Sequence, residues 1–215
     1  MQFRLLSFIL FLSLFFHYPG YAAFDTQYWT NIGITKTLSP KYKLDFSEEI
    51  KWGNNYSEMF LHRTDLNLGI NISRKLKVAF AIKQINIKSQ VWSQIRSSYI
   101  DVQFTLGNEK LQFKDRNRFE YLMRKAAKNI YRYRNKGTLS TNIMLFGKNW
   151  TPYIAEEIFY DINIDILKFN RLYTGIQFML NKNIKTDLFY LLEHKKNRSS
   201  YLTHHILGTT LRYQF

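Results

Sequence analysis

Two stretches of the chain carry charge at every second position. Arg116, Arg118 and Glu120 share one parity, and Arg132, Arg134 and Lys136 share another. In a β-strand, residues two apart point to the same side, so each set would stand on one face. With the connection between them centred near Ala126, Glu120 falls opposite Arg132 and Arg118 opposite Arg134. The same hairpin arithmetic sets Glu49 opposite Arg63 and Glu157 opposite Arg171. A planar guanidinium can bridge carboxylates on neighbouring strands, so the set reads as a hydrogen-bonded network filling a narrow interior. The same residues could instead line a basic path that favours anions. Arginine outnumbers glutamate in the set, which keeps this second reading open beside the first.

A second cluster holds the residue types of nucleophilic catalysis: Glu193, His194, Ser199, Ser200, His204 and His205. That chemistry requires a base within hydrogen-bond reach of a hydroxyl and a third group that orients the base. His205 shares parity with Phe215, so both belong to one face of the last strand. No serine combines suitable parity and spacing with it, and no lipid-deacylase motif is present. A lipid hydrolase therefore ranks third, behind the two non-catalytic readings. His204 and His205 are adjacent and point to opposite faces, which argues against a shared metal ion. The sequence holds no phosphate-binding glycine loop and no dinucleotide fingerprint, so neither a metal nor a cofactor is expected. Basic residues also gather at two connections, Arg124, Lys125 and Lys128 in one and Lys195, Lys196 and Arg198 in the other. They read as solvated tips or as contacts to lipopolysaccharide phosphates, each gaining roughly 1 kcal/mol at an anionic surface.

These faces need strands, and period two supplies them. Tyr42, Leu44, Phe46, Ile50 and Trp52 alternate with Lys43, Asp45, Ser47, Glu49 and Lys51. Leu76, Val78, Phe80 and Ile82 alternate with Lys77, Ala79, Ala81 and Lys83. A helix would spread these apolar residues all round its axis. Aromatic residues reach 17%, yet mean hydropathy is −0.32. Alternation reconciles the two, as in a barrel wall with one face in lipid and the other in water. Short breaks at 39–41, 73–75, 107–109, 147–149 and 181–183 take turns with longer ones at 53–57, 88–93, 123–129, 161–168 and 194–200. They delimit eleven segments, whereas single-chain bacterial barrels have an even number of strands. Either Gln27–Thr37 is not an ordinary wall strand, or a break is hidden within Ile130–Phe146. The expectation is an all-β, antiparallel transmembrane barrel of about ten to twelve strands with short periplasmic turns and longer extracellular loops.

Residues 1–22 read as a cleaved signal peptide: Arg4, an apolar run from Leu5 to Phe16, a Pro19-Gly20 break and small residues at Gly20 and Ala22. The barrel would then occupy residues 23–215. The net charge of +15 would ordinarily suggest nucleic acid. Export makes outer-membrane lipids and lipopolysaccharide the natural partners instead, with a monomer as the favoured state. The chain has no cysteine, so disulfide staples are excluded.

The last strand carries the most specific signal. Leu207, Leu211, Tyr213 and Phe215 share its apolar face. A terminal aromatic closing an alternating strand resembles the signal read by the barrel assembly machinery. Further stretches carry a broader resemblance. Tyr28-Trp29 opens a strand that leads to Leu38-Ser39-Pro40-Lys41-Tyr42-Lys43-Leu44 and Glu48-Glu49. Arg116-Asn117-Arg118-Phe119-Glu120 precedes Tyr131-Arg132-Tyr133-Arg134. Pro152-Tyr153-Ile154-Ala155-Glu156-Glu157-Ile158-Phe159 and Asn170-Arg171-Leu172-Tyr173-Thr174-Gly175 follow. In order and spacing the chain resembles a domain-of-unknown-function family of small bacterial outer-membrane β-barrel proteins. The resemblance implies an envelope location and a barrel fold, and it brings no catalytic residues.

Overall fold

A computed structural model describes residues 25–108, 110–125, 127–197 and 200–215. The expected signal peptide lies outside these residues, as do Arg198 and Ser199. The alternating stretches form β1 (Asp25–Thr37), β2 (Tyr42–Gly53), β3 (Glu58–Asn71), β4 (Leu76–Lys88), β5 (Trp92–Gly107) and β6 (Leu111–Arg124). They continue as β7 (Ile130–Thr141), β8 (Ile143–Leu145), β9 (Lys148–Asp161), β10 (Ile166–Met179), β11 (Ile184–Asn197) and β12 (Ser200–Gln214). Sequential neighbours pair antiparallel, with β7 passing over β8 to pair with β9. The sheet then closes where β12 meets β1 in parallel, Thr30 standing opposite Thr209.

Twelve strands less β8, which pairs with β9 and not with β7, leave eleven in the wall among the described residues. Parallel closure follows from that odd count. Up-and-down connection makes the first and last of eleven strands run the same way, so their ladder cannot be antiparallel. Gln27–Thr37 is thus a wall strand, but one with a parallel neighbour. The break suspected within Ile130–Phe146 is real as well: it falls at Asn142 and creates β8, which extends the β7–β9 hairpin and adds nothing to the wall.

Parallel ladders are slightly weaker per residue than antiparallel ones. Side chains and the C-terminal residue reinforce this seam. Phe215 donates its N–H to the Thr35 carbonyl and accepts from the Thr37 N–H, both at 3.1 Å. Tyr28 Oη reaches Thr209 Oγ1 at 3.1 Å across the same seam. On the inward side, Arg212 of β12 bonds Asp45 and Asn31. The outward set Leu207, Leu211, Tyr213 and Phe215 lies along the same strand, with the Phe215 ring beneath Lys36 Nζ.

The two ends of the barrel differ less in connection length than the sequence breaks imply. At the end that holds Phe215, the turn end, the connections span 38–41, 72–75, 108–110 and 180–183. At the opposite, loop end they span 54–57, 89–91, 125–129 and 162–165. Strand pairing runs on into the segments read as loops, because each extra ladder residue satisfies backbone groups that a loop would leave to solvent. Lys195 and Lys196 consequently belong to β11 and not to a loop.

Faces sort cleanly. Ile32, Phe46, Leu66, Phe80, Ile100, Phe119, Ile154 and Leu188 are exposed on the outside, while Ser47, Asp65, Lys83, Asp101, Arg118 and Glu157 are buried inside. Among the described strand residues, the carboxylates Glu48, Asp115 and Glu156 break the outer pattern, and each is held by a neighbour. Glu48 accepts from His62 at 2.7 Å and Thr64 at 3.0 Å. Asp115 accepts from Asn117 at 2.8 Å and Asn135 at 2.6 Å, and Glu156 accepts from Asn170 at 3.0 Å. One sector of the lumen is apolar: Trp29, Tyr153, Ala155, Tyr173, Leu191 and Ile206 pack together, with Phe189 against them. Gly208 makes room for that sector, since a Cβ there would lie 2.0 Å from the Phe189 ring.

The seam is directly testable because the chain has no cysteine. Thr30→Cys with Thr209→Cys should form an intramolecular disulfide on mild oxidation, seen as a mobility shift under non-reducing electrophoresis. Failure to cross-link, with a folded barrel by heat-modifiability, would mean that β1 and β12 are not neighbours.

Candidate functional site

Three strands build the centre of the lumen. Arg134 on β7 stands between Glu120 on β6 and Glu157 on β9, and both acids are almost fully buried. Its guanidinium reaches Glu120 at 3.0 Å and Glu157 at 2.7 Å. Glu120 also accepts from Lys83 on β4, and Arg118 lies 3.5 Å away. Glu157 accepts from Arg116 at 2.6 Å and from Tyr173 Oη on β10 at 2.9 Å. Arg118 spends its fork on Asp101 of β5, with bonds of 2.6 and 2.7 Å. The chain of contacts therefore links every wall strand from β4 to β10. Aromatic faces complete it: Arg118 lies 3.7 Å from the Tyr99 ring centre and Arg134 4.2 Å from that of Phe159.

Two further groups occupy the rest of the circumference. Glu49 lies 3.1 Å from Arg63 and 3.2 Å from Lys51, as ion pairs rather than aligned hydrogen bonds of the shared oxygen. Lys51 Nζ sits 3.2 Å from the Trp29 ring centre, where it joins the apolar sector. Arg171 bonds Glu193 of β11 at 2.6 and 2.7 Å, and His204 of β12 approaches the same acid at 3.3 Å. A buried charge without such partners would carry a desolvation penalty of several kcal/mol. Arg118, Glu120, Arg134, Glu157 and Glu193 each have at least two, while Lys51, Asp65, Lys83, Asp101 and Asp161 each pair with one.

The registers coincide with the hairpin arithmetic. Glu120 is opposite Arg132, Arg118 opposite Arg134, Glu49 opposite Arg63 and Glu157 opposite Arg171. Opposition does not always mean contact. Arg132 turns to its other neighbour, Asp161 on β9, at 2.5 and 3.2 Å, and leaves Glu120 to Lys83 and Arg134. Arg171 likewise prefers Glu193 to Glu157. Each wall strand has two neighbours, and a long side chain takes whichever acid needs it more. Lys83, Asp101 and Asp161 complete the network although adjacent-strand arithmetic did not single them out. The Lys83–Glu120 contact skips β5 entirely, so no hairpin count could reveal it.

The histidine cluster disperses. His204 faces inward on Glu193, His205 Nδ1 lies against Tyr190 Oη, and His194 Nδ1 lies 3.0 Å from Thr203 Oγ1. Among the described residues no three His, Asp or Glu side chains gather as a metal site. Of the basic connection residues, Lys125 and Lys128 are exposed. Arg124 is tied back to the Lys128 carbonyl.

Removing Arg132 should strand the buried Asp161 and not Glu120. Arg132→Ala should therefore lose about 3 to 5 kcal/mol, the usual cost of breaking a buried pair. Adding Asp161→Asn should recover much of that loss, whereas adding Glu120→Gln should not. Urea unfolding of the folded barrel, followed through tryptophan fluorescence, measures the cycle. Rescue by Glu120→Gln instead would mean that Arg132 serves the other strand.

No curated protein matches the chain. A family model described as "Protein of unknown function (DUF2490)" matches residues 26–203, which takes in the wall strands except Asp25 of β1 and most of β12. The chain belongs to that family of proteins of unknown function.

Proposed function

We propose that the mature chain is a bacterial outer-membrane β-barrel without catalytic activity, an envelope structural or binding component whose lumen is closed by paired charges. The observation that carries the reading is the division of faces. Large apolar side chains cover the outside while the buried acids and arginines of six or more strands meet inside. Soluble barrels do the reverse.

Outward charge fits the same reading. Lys36, Lys88 and Arg96 stand toward strand ends, where interfacial water is near. A cation at the bilayer midplane would cost roughly 2 to 4 kcal/mol, and a carboxylate less. The outward acids Glu48, Asp115 and Glu156 each have a donor in contact, which lowers that cost further. With the Phe215 end taken as periplasmic, the terminal strand is placed as the barrel assembly machinery would read it. Lys125 and Lys128 then project outward toward lipopolysaccharide. The network argues against an open anion channel, because its acids and arginines are paired with one another around the wall and are almost fully buried. Lipid hydrolysis finds no support in the dispersed histidines.

Single cysteines test location and orientation together. Lys128→Cys should react with an impermeant maleimide on intact cells, and Lys182→Cys only after the outer membrane is permeabilised. Recovery of both in a soluble fraction would contradict the membrane reading, and the reverse labelling pattern would invert the barrel.

A further inference from the structure

The network neutralises the middle of the lumen but not its turn end. There Lys114 on β6, Lys136 on β7 and Lys185 on β11 line an inward basin of about 330 Å³, with Arg116 at its floor. Among the described residues that line it, the carboxylate is Asp187, already engaged by Tyr153 Oη and Gln177 Nε2 at 3.1 Å each. None of the three lysines forms an ion pair among the described residues. Lys136 rests on the Tyr173 ring, 3.6 Å from its centre. Arg116 gives one terminal nitrogen to Glu157, yet its buried Nε has no hydrogen-bond partner among the described residues.

Four cations around one small cavity repel one another, and the low-dielectric wall strengthens the repulsion. Elsewhere in this lumen the chain answers such repulsion with acids. Here, beside the single acid Asp187 among the described lining residues, it supplies neutral donors, the amides of Gln103 and Gln112. Ammonium, guanidinium and amide donors converging on a wet cavity match a compact oxyanion with several acceptor oxygens. The lining residues belong to the inward-facing set of their strands, so on the membrane reading the ion would arrive from solution.

We propose that this basin binds a small multivalent oxyanion of the phosphate class. The proposal deepens the envelope-binding reading and rests on the closed lumen, which makes the basin a dead end and not a channel mouth. Calorimetric titration of the folded full chain with inorganic phosphate, in maltoside detergent at constant ionic strength, reads it independently of any membrane.

Saturable binding at one site is expected. Lys114→Gln with Lys185→Gln should weaken it about tenfold or more, since poorly screened charge is removed from the site itself. Each single variant should weaken it measurably, which keeps the test open if the double variant does not fold. Lys125→Gln with Lys128→Gln, at the opposite end, should bind like the parent. No saturable heat with phosphate, or binding undiminished in both Lys114→Gln and Lys185→Gln, overturns the site. Variant-sensitive binding of short-chain phosphatidylglycerol without binding of free phosphate overturns the solution source.

Discussion

Glu157 is almost completely buried inside a barrel that the chain must close around it. A carboxylate in that position is tolerable only with cations in contact, and here Arg134, Arg116 and Tyr173 supply three donors from three strands. The requirement propagates. Arg134 also needs Glu120, Glu120 also draws on Lys83, and Arg118 must turn to Asp101. Pairing one acid thereby fixes the positions of strands β4 to β10 relative to one another. Register is the variable that this pairing controls, because a slip of one residue would turn every inward charge to the outside.

The apolar sector solves a different problem. Among the described residues the β1–β12 seam is the one parallel ladder of the sheet. Charges are sparse beside it, and Trp29, Leu191 and Ile206 fill the lumen there instead. Lys51 and Arg171 connect the two halves: each lies over the Trp29 ring while pairing with an acid of the charged half. The middle of the lumen thus holds ion pairs on one side and aromatic rings on the other.

How much of this was legible in the sequence depends on how local each feature is. Period two gave the faces correctly, because strand geometry leaves no alternative for Leu44 against Lys43. Tight connections made the registers of β2–β3 and β6–β7 countable. The odd strand number was countable too, but its meaning was not, since parallel pairing of β1 with β12 joins residues almost a full chain apart. The kink at Asn142 hid the true β7–β9 register, and with it the Arg132–Asp161 pair. Arg171–Glu193 lay within reach of hairpin arithmetic about the 181–183 turn, whereas Lys83–Glu120 did not, since those strands are not adjacent. Loop length misled for a simpler reason: polar residues at strand ends look like loop in sequence, yet they still pair.

Conductance reads directly whether the paired charges close the lumen. Planar-bilayer recording compares the parent barrel with one in which Glu120, Arg134 and Glu157 are all replaced by serine, a set that removes the three central side chains and leaves Lys83 and Arg116 without their acids. The parent should show no steady conductance, and the triple variant should show a stable ohmic one. A parent that conducts steadily and selects anions would contradict the closed lumen and make the barrel a channel.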